Sequence, residues 1–340
     1  VTITTTEEIM AERKAGVTRR DVLKSGTLLA APFVAKYSRA AGPMAGKRMG
    51  YSMSYATIEW LVTQRRGVEE GAKAAGFELV FADARDNPAK QVRDLEDMVT
   101  RKCDVILIST YYAEAITPAV KMINDAGIPL VVLSSSIKGN ITWTCHLSTD
   151  TMGTARSAGE YFVKNLGGKG KVVQIEGKPG SVVNQMRGAG WTEVIGKTPG
   201  IEIAKHVVAN YERMQALRHM EDILRSTQGI SAVYCHNDEM ALGAIKAIKE
   251  SGRGKEMWVT GYDGIQLDAL EAIYNGDLRA TWQYLPFGTE AVDAATKILQ
   301  GASVPKEIVF PSPLITKENV TEFYDPKERK VRPFKSQLKV

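Results

Sequence analysis

Polar and aromatic side chains gather where short apolar runs end. Ser54 is followed by Trp60, Ser109 by Tyr111 and Tyr112, and Ser134 by Ser135 and Ser136. In the second half, Gln185 lies near Arg187, Tyr211 follows a strand-like run, and Asn237 adjoins Asp238. Tyr262 adjoins Asp263, and Gln283 adjoins Tyr284. Serine, asparagine, glutamine and aspartate can meet hydroxyl groups, while flat rings cover C–H faces. Together they suit a small, uncharged, polyhydroxylated molecule. A single tyrosine or tryptophan at such a place more often packs a core. Recurrence over several run ends is what points to a site.

Other chemistries lack their residues. The histidines, His146, His206, His219 and His236, fall in no metal-ligand spacing. His236 adjoins Cys235, but neighbours on a strand point to opposite faces, so the two make no nucleophile–base pair. No G-x-G-x-x-G opens a helix after a strand, and Gly167-Gly168-Lys169-Gly170 precedes a strand instead. The phosphate-cradling G-x-x-x-x-G-K-[ST] and the G-x-S-x-G elbow are also missing from the sequence. No catalysis, no cofactor and no metal are therefore expected. Cys103, Cys145 and Cys235 have no C-x-x-C spacing and read as buried free thiols.

The elements that must position these groups follow from periodicity. Strand patterns occupy 49–54, 78–82, 105–109, 130–134, 171–176, 204–208, 232–235, 258–262 and 280–284. Helical patterns lie between them. Residues 91–101 place Val92, Leu95, Met98 and Val99 on one face, and 243–250 do the same with Ala244, Ile245, Ala247 and Ile248. Gly76, Gly127 and Gly252 stand where helices end. Such alternation predicts α/β architecture with parallel sheets and right-handed crossovers. So many strands make a wide single sheet, and two doubly wound parallel-sheet lobes are more natural. Residues 141–150 are the expected crossing between lobes. Open sheets of this kind bind ligands outside the carboxyl ends of their strands, which is where the polar clusters lie.

The 340 residues carry a net charge of +5, but unevenly. Residues 1–46 are net +3 and 325–340 net +4, leaving 47–324 at −2. The fold-like part has no basic bias, and no nucleic-acid partner is expected. The first segment reads as an address. Thr18-Arg19-Arg20-Asp21-Val22-Leu23-Lys24 precedes an apolar stretch at 26–35 and the small residues around Ser38-Arg39-Ala40-Ala41-Gly42. The Arg pair resembles a twin-arginine export signal, with Val22 where that signal usually has Phe. The apolar stretch is shorter than the ~20 residues that span a bilayer. A periplasmic location is expected, with cleavage between residues 40 and 47.

Four stretches are recognisable. Tyr234-Cys235-His236-Asn237-Asp238-Glu239-Met240-Ala241-Leu242-Gly243-Ala244 resembles the ribose/galactose-type periplasmic binding proteins. So do Val259-Thr260-Gly261-Tyr262-Asp263-Gly264, Asp86-Asn87-Pro88-Ala89-Lys90-Gln91 and Ala126-Gly127-Ile128-Pro129-Leu130-Val131. The similarity runs in order from residue 47 to 314. It implies a type I periplasmic binding protein fold, two lobes joined by three crossovers that close on a ligand. It implies the solute-binding component of an ABC importer for a monosaccharide or polyol, acting as a monomer with an inner-membrane permease as partner. The expected parts are an export signal and linker at 1–46, a first lobe of 47–148 plus 285–312, a second lobe of 149–284, and a crossover and tail at 313–340.

Carried over by position, Ser54 falls on a ligand-contacting serine and Trp60 on a stacking aromatic. Tyr211 and Tyr262 fall on aromatic positions of the second lobe, and Asn237 and Asp263 on an amide and a carboxylate that bind hydroxyls. Gln185 falls where the family commonly has Arg, with Arg187 close by. Ser109 replaces a common Asn, and Gln283 or Tyr284 falls on a common Gln. Ser134-Ser135 is the largest departure, because sugar binders of the family usually carry Asp-Arg there. With Ile58 also replacing a polar residue, a polyol, a deoxy sugar or another small polyhydroxy ligand is favoured. A sensor serving a chemoreceptor would share the whole pattern. A LacI-type repressor would share only the core, since residues 1–46 lack a DNA-binding reading.

Overall fold

The computed structural model describes residues 42–334. The Arg19-Arg20 pair and its apolar stretch lie outside them. Strands and helices alternate from the start: β1 (Arg48–Met53), α1 (Glu59–Ala75), β2 (Glu78–Asp83), α2 (Pro88–Thr100), β3 (Val105–Ser109), α3 (Thr117–Asp125), β4 (Leu130–Leu133) and β5 (Cys145–Thr149). A second series follows: α4 (Thr151–Leu166), β6 (Gly170–Glu176), α5 (Val182–Ile195), β7 (Ile201–Val208), α6 (Arg213–Ser226), β8 (Ile230–Cys235), α7 (Asp238–Glu250), β9 (Trp258–Thr260), α8 (Leu267–Asn275) and β10 (Ala280–Trp282). The chain then forms α9 (Gly288–Leu299), β11 (Glu307–Phe310), β12 (Leu314–Thr316), β13 (Tyr324–Asp325) and β14 (Lys330–Val331).

Two six-stranded sheets result, ordered β11-β5-β4-β3-β1-β2 and β12-β10-β9-β8-β6-β7. The chain passes between them after β5, after β10 and after β11, so three crossovers join two doubly wound lobes. Every ladder within these two sheets is parallel except β10 with β12, where Trp282 faces Leu314 antiparallel. Central strands such as β3 and β4 are buried along their whole length, as parallel strands covered on both faces must be. In each sheet the order reverses beside the first strand of its lobe, at β3-β1-β2 and β8-β6-β7. A crevice opens at such a switch point, outside the strand carboxyl ends.

Local chemistry starts the helices that face this crevice. The Asn87, Ser181 and Asn237 side chains accept from backbone N–H groups in the first turns of α2, α5 and α7. Helix α9 packs against α1 so closely that a Cβ on Gly288 would lie 2.3 Å from the Gln64 carbonyl oxygen. That contact brings the second crossover down onto the first lobe.

Several expectations are corrected. Residues 145–149, read as part of a crossing, are strand β5, paired with both β4 and β11. His146 and Ser148 disguised it, and the chain crosses only after Thr149. Strand β7 begins at Ile201 rather than 204, because it is an edge strand whose Glu202, Lys205 and His206 face solvent. Strands expected to include Ser134, Tyr262 and Tyr284 stop at Leu133, Thr260 and Trp282. Past those points the backbone turns, with Ser134 at φ 69° and Asp263 at φ 123°. Residues 313–334, expected as crossover and tail, supply β12 and the β13–β14 hairpin. Arg329 fixes that hairpin to α8 by two 2.8 Å bonds to Glu271. All three cysteines are buried and free, as expected. Among the described residues no helix is long and apolar enough to cross a membrane, and no cluster of His, Cys, Asp or Glu has metal-binding geometry.

Candidate functional site

Trp60, Ser134 and Ser135 from the first lobe, and Arg187, Tyr211, Asn237 and Asp263 from the second, converge on one small cavity, with Tyr284 from the second crossover. Its volume is about 30 Å³. The lobes touch around it. Tyr111 and Tyr211 face one another across the lobes with ring centroids 5.7 Å apart. Lys178 of the second lobe forms an ion pair with Asp86 of the first, and Asp86 also accepts from the Tyr112 hydroxyl.

The second crossover anchors the first-lobe wall. The Trp60 indole N–H donates to the Tyr284 carbonyl at 2.8 Å, with their rings 5.3 Å apart. The Ser134 and Tyr284 hydroxyls meet at 2.8 Å. The wall is therefore a neutral hydroxyl pair beside two aromatic faces.

The second-lobe wall is built on a buried cation. Arg187, on α5, stands over Tyr262 with its guanidinium carbon 3.9 Å from the ring centroid, and 4.9 Å from that of Tyr284. One amino group donates to the His236 carbonyl and the other to Asp263 at 3.3 Å. The second Asp263 oxygen accepts from Gln266 at 3.3 Å. Burial pushes the Asp263 carboxyl up, to about 7, while the Arg187 guanidinium and Gln266 pull it down. Burial opposes the Arg187 charge too, but Asp263 and the hydroxyls of Tyr211, Tyr262 and Tyr284 outweigh it and raise its pKa. These directions conflict, because a supported guanidinium implies an ionised partner. Both Asp263 oxygens face donors, which leaves no acceptor for a carboxyl proton, so the ionised pair fits the geometry better. Burial and Arg187 together hold His236 well below the ordinary histidine range. Its Nδ1 lies 2.7 Å from the Asn184 side-chain oxygen, which also accepts from the Gly177 N–H. That network fixes the loop between β6 and α5.

Five expected residues stand elsewhere. Gln185 is exposed on α5 and donates to the Pro179 carbonyl, because two steps along a helix turn a side chain to nearly the opposite face. Gln283 faces a separate cavity of about 680 Å³ with Leu285 and Phe310, since it alternates with the inward Tyr284 on extended backbone. Tyr262 lies behind Arg187 as its support. Ser54 and Ser109 are buried deeper, bonded to each other through backbone N–H and carbonyl at 3.0 Å. Asn237 reaches the cavity, but its side chain also caps α7 and donates to the Tyr211 carbonyl at 3.3 Å.

Four lining residues lie outside the expected set: Ile58, Tyr111, Ser181 and Val183. Tyr111 stood beside Ser109 in the same strand-end pattern. Ser181 follows β6 directly, and its polar type at that place was a usable signal. Ile58 is marked only by the family resemblance, as a replaced polar position, and Val183 is aliphatic and carries no signal.

Residues 49–303 match the family described as periplasmic binding protein domain. The chain belongs to this family. The ribose import binding protein of Bacillus subtilis is 33% identical over 272 residues, covering 79% of this chain and 87% of that protein. A solved ABC transporter solute binding protein from Bacillus halodurans with bound myo-inositol is 29% identical, with TM-score 0.77, covering 82% and 98%. The fructose binding periplasmic domain of a hybrid two component system is also 29% identical, with TM-score 0.76, covering 81% and 92%. These periplasmic binding proteins bind solutes rather than transform them, in keeping with a cavity built from recognition groups.

Proposed function

We propose that the protein is the solute-binding component of an ABC importer, capturing a small uncharged polyhydroxy compound, a monosaccharide or polyol, between its lobes. The observation that carries this is a cavity whose walls come from both lobes and unite hydroxyls, aromatic faces and one compensated Arg187–Asp263 pair. The relatives named for ribose and myo-inositol supply the chemical class. The neutral Ser134 and Ser135 favour polyols, cyclitols or deoxy sugars. Ile58 and Val183 add apolar surface that a ring hydroxyl could not pair with.

Entry requires the lobes to part, because a void of about 30 Å³ admits no sugar. A ligand that touches both walls then favours the arrangement in which they meet. Asp263 and Asn237 act as recognition groups, with no bond made or broken. Closure presents both lobes to an inner-membrane permease. The Arg19-Arg20 segment supports a periplasmic location by the twin-arginine route, and the protein acts as a monomer.

A thermal-shift screen of aldoses, alditols and cyclitols, followed by calorimetry, tests the ligand class. Stabilisation by polyols or cyclitols is expected. Stabilisation by charged amino acids alone would overturn it. Similarity to the fructose-binding sensor domain favours a second reading, a ligand sensor for a signalling receptor. Co-purification with a permease or with a receptor separates the two.

A further inference from the structure

His146 lies on β5, outside the cavity, with its side chain 8% exposed. Its Nδ1 is 2.8 Å from a Glu307 carboxylate oxygen on β11, and its Nε2 is 2.9 Å from the backbone carbonyl of Ser134. Both partners are acceptors. A neutral imidazole carries one N–H and can serve only one of them, whereas an imidazolium serves both. The Glu307 carboxylate is itself held, since its other oxygen accepts from the Trp143 indole at 2.8 Å.

The consequence reaches the cavity through Ser134. This residue sits at φ 69°, a backbone region that side chains other than glycine seldom adopt. Strand β5 holds it from both ends, with the Leu147 carbonyl accepting from its N–H at 2.8 Å and His146 donating to its carbonyl. Its hydroxyl then meets Tyr284 at 2.8 Å on the cavity wall. His146 also joins β5, which leads into the first crossover, to β11, which leads into the third.

We propose that His146 is a positioning residue that works as an imidazolium, clamping the Ser134 carbonyl to Glu307 and so fixing the Ser134–Tyr284 hydroxyl pair that the ligand meets. The inference rests on the proposed function for its effect on binding, but not for the charge state of the ring. Histidine is the side chain that ordinarily changes charge between pH 5 and 8. Binding should therefore be strongest while both ring nitrogens donate, and weaker at a pH that leaves the ring a single N–H. The charged partner of the ring is Glu307 from β11, and the Lys306 ammonium lies over Trp143, 5.7 Å from its ring centroid, with Trp143 in turn packed edge-on against the imidazole. The adjoining Cys145 thiol is pushed up to about 11 by burial, so it stays neutral. Asp263, the other carboxylate at the cavity, is held ionised by Arg187 and Gln266, so a variant that retains it is the proper control.

Two measurements test this. Nitrogen-15 spectra of the ligand-free protein, assigned by loss of the signal in His146→Gln, should show both ring nitrogens protonated at pH 6. A single protonated nitrogen at that pH overturns the proposal. Calorimetry with ribose, xylitol and myo-inositol at pH 6 and pH 8.5 should show binding weakened about 3- to 10-fold at the higher pH, the scale of one hydrogen bond. His146→Gln should bind equally at both pH values, at the weaker level. An unchanged pH profile in that variant also overturns it. If none of the three compounds binds at either pH, the proposed function fails instead, and the ring spectra still decide the charge state.

Discussion

The ion pair between Lys178 and Asp86 joins the lobes across the cleft, so it exists only while they are together. Replacing Lys178 with Met keeps the aliphatic stem and removes the charge. The two side chains are 22% and 37% exposed, so solvent screens much of their attraction. Pairs of this kind are worth about 0.2–1 kcal/mol. The upper end applies here because the Tyr112 hydroxyl holds the Asp86 carboxylate from its own lobe, which reduces the ordering cost of pairing. A bond present only in the closed arrangement contributes its full value to ligand affinity. At 1.4 kcal/mol per tenfold, Lys178→Met should weaken binding by about 2- to 5-fold. The loss should appear mainly as faster dissociation. It should shrink between 0.05 and 0.5 M salt, as the screening length falls to a few ångströms. Calorimetry and stopped-flow release with the best polyol or sugar from the screen read both effects. Combining Lys178→Met with Asp86→Asn should cost no more than either change alone. Wild-type affinity in Lys178→Met at low salt, or fully additive losses, would refute the closure argument.

Three further outcomes follow from the same geometry. Asp263→Ala removes a buried acceptor and should weaken ligand binding by roughly 1.5–3 kcal/mol in calorimetry. Because Arg187 and Gln266 hold Asp263 as a carboxylate, its charge should not change near neutrality. Urea unfolding should therefore show a constant stability difference between wild type and Asp263→Asn between about pH 5 and 7, and a loss in wild type as pH rises would count against the ionised pair. A Cβ on Gly177 would lie 2.0 Å from the Tyr211 ring. Gly177→Ala should cost about 1–3 kcal/mol of stability and lower ligand affinity, with stability recovered in Gly177→Ala/Tyr211→Ala.

Much of this was legible in the chain itself. Strand and helix periods differ, so their alternation announced two parallel sheets before any contact was known. Polar residues at strand ends pointed to the face where the proposed site lies, because a parallel sheet offers its loops there. Charge counted by segment freed the core from its apparent basic character, net +5 for the chain but −2 over 47–324.

What only the tertiary structure decided was which neighbour turns inward. Gln185 and Arg187 are two steps apart on a helix, and Gln283 and Tyr284 one step apart on extended backbone. In each case a small shift in register turns a side chain into the cavity or away from it, and composition is blind to it. Val183 lines the cavity with a side chain indistinguishable from core, and Ile58 was marked only through the family resemblance, not by its own type. Asp86 meets Lys178, and His146 meets Glu307, across sequence separations of 92 and 161 residues. Local patterns determine elements because neighbours along the chain share a helix or strand. Pairings this distant arise only once the crossovers lay β11 beside β5 within one sheet and bring the two lobes together at their cleft.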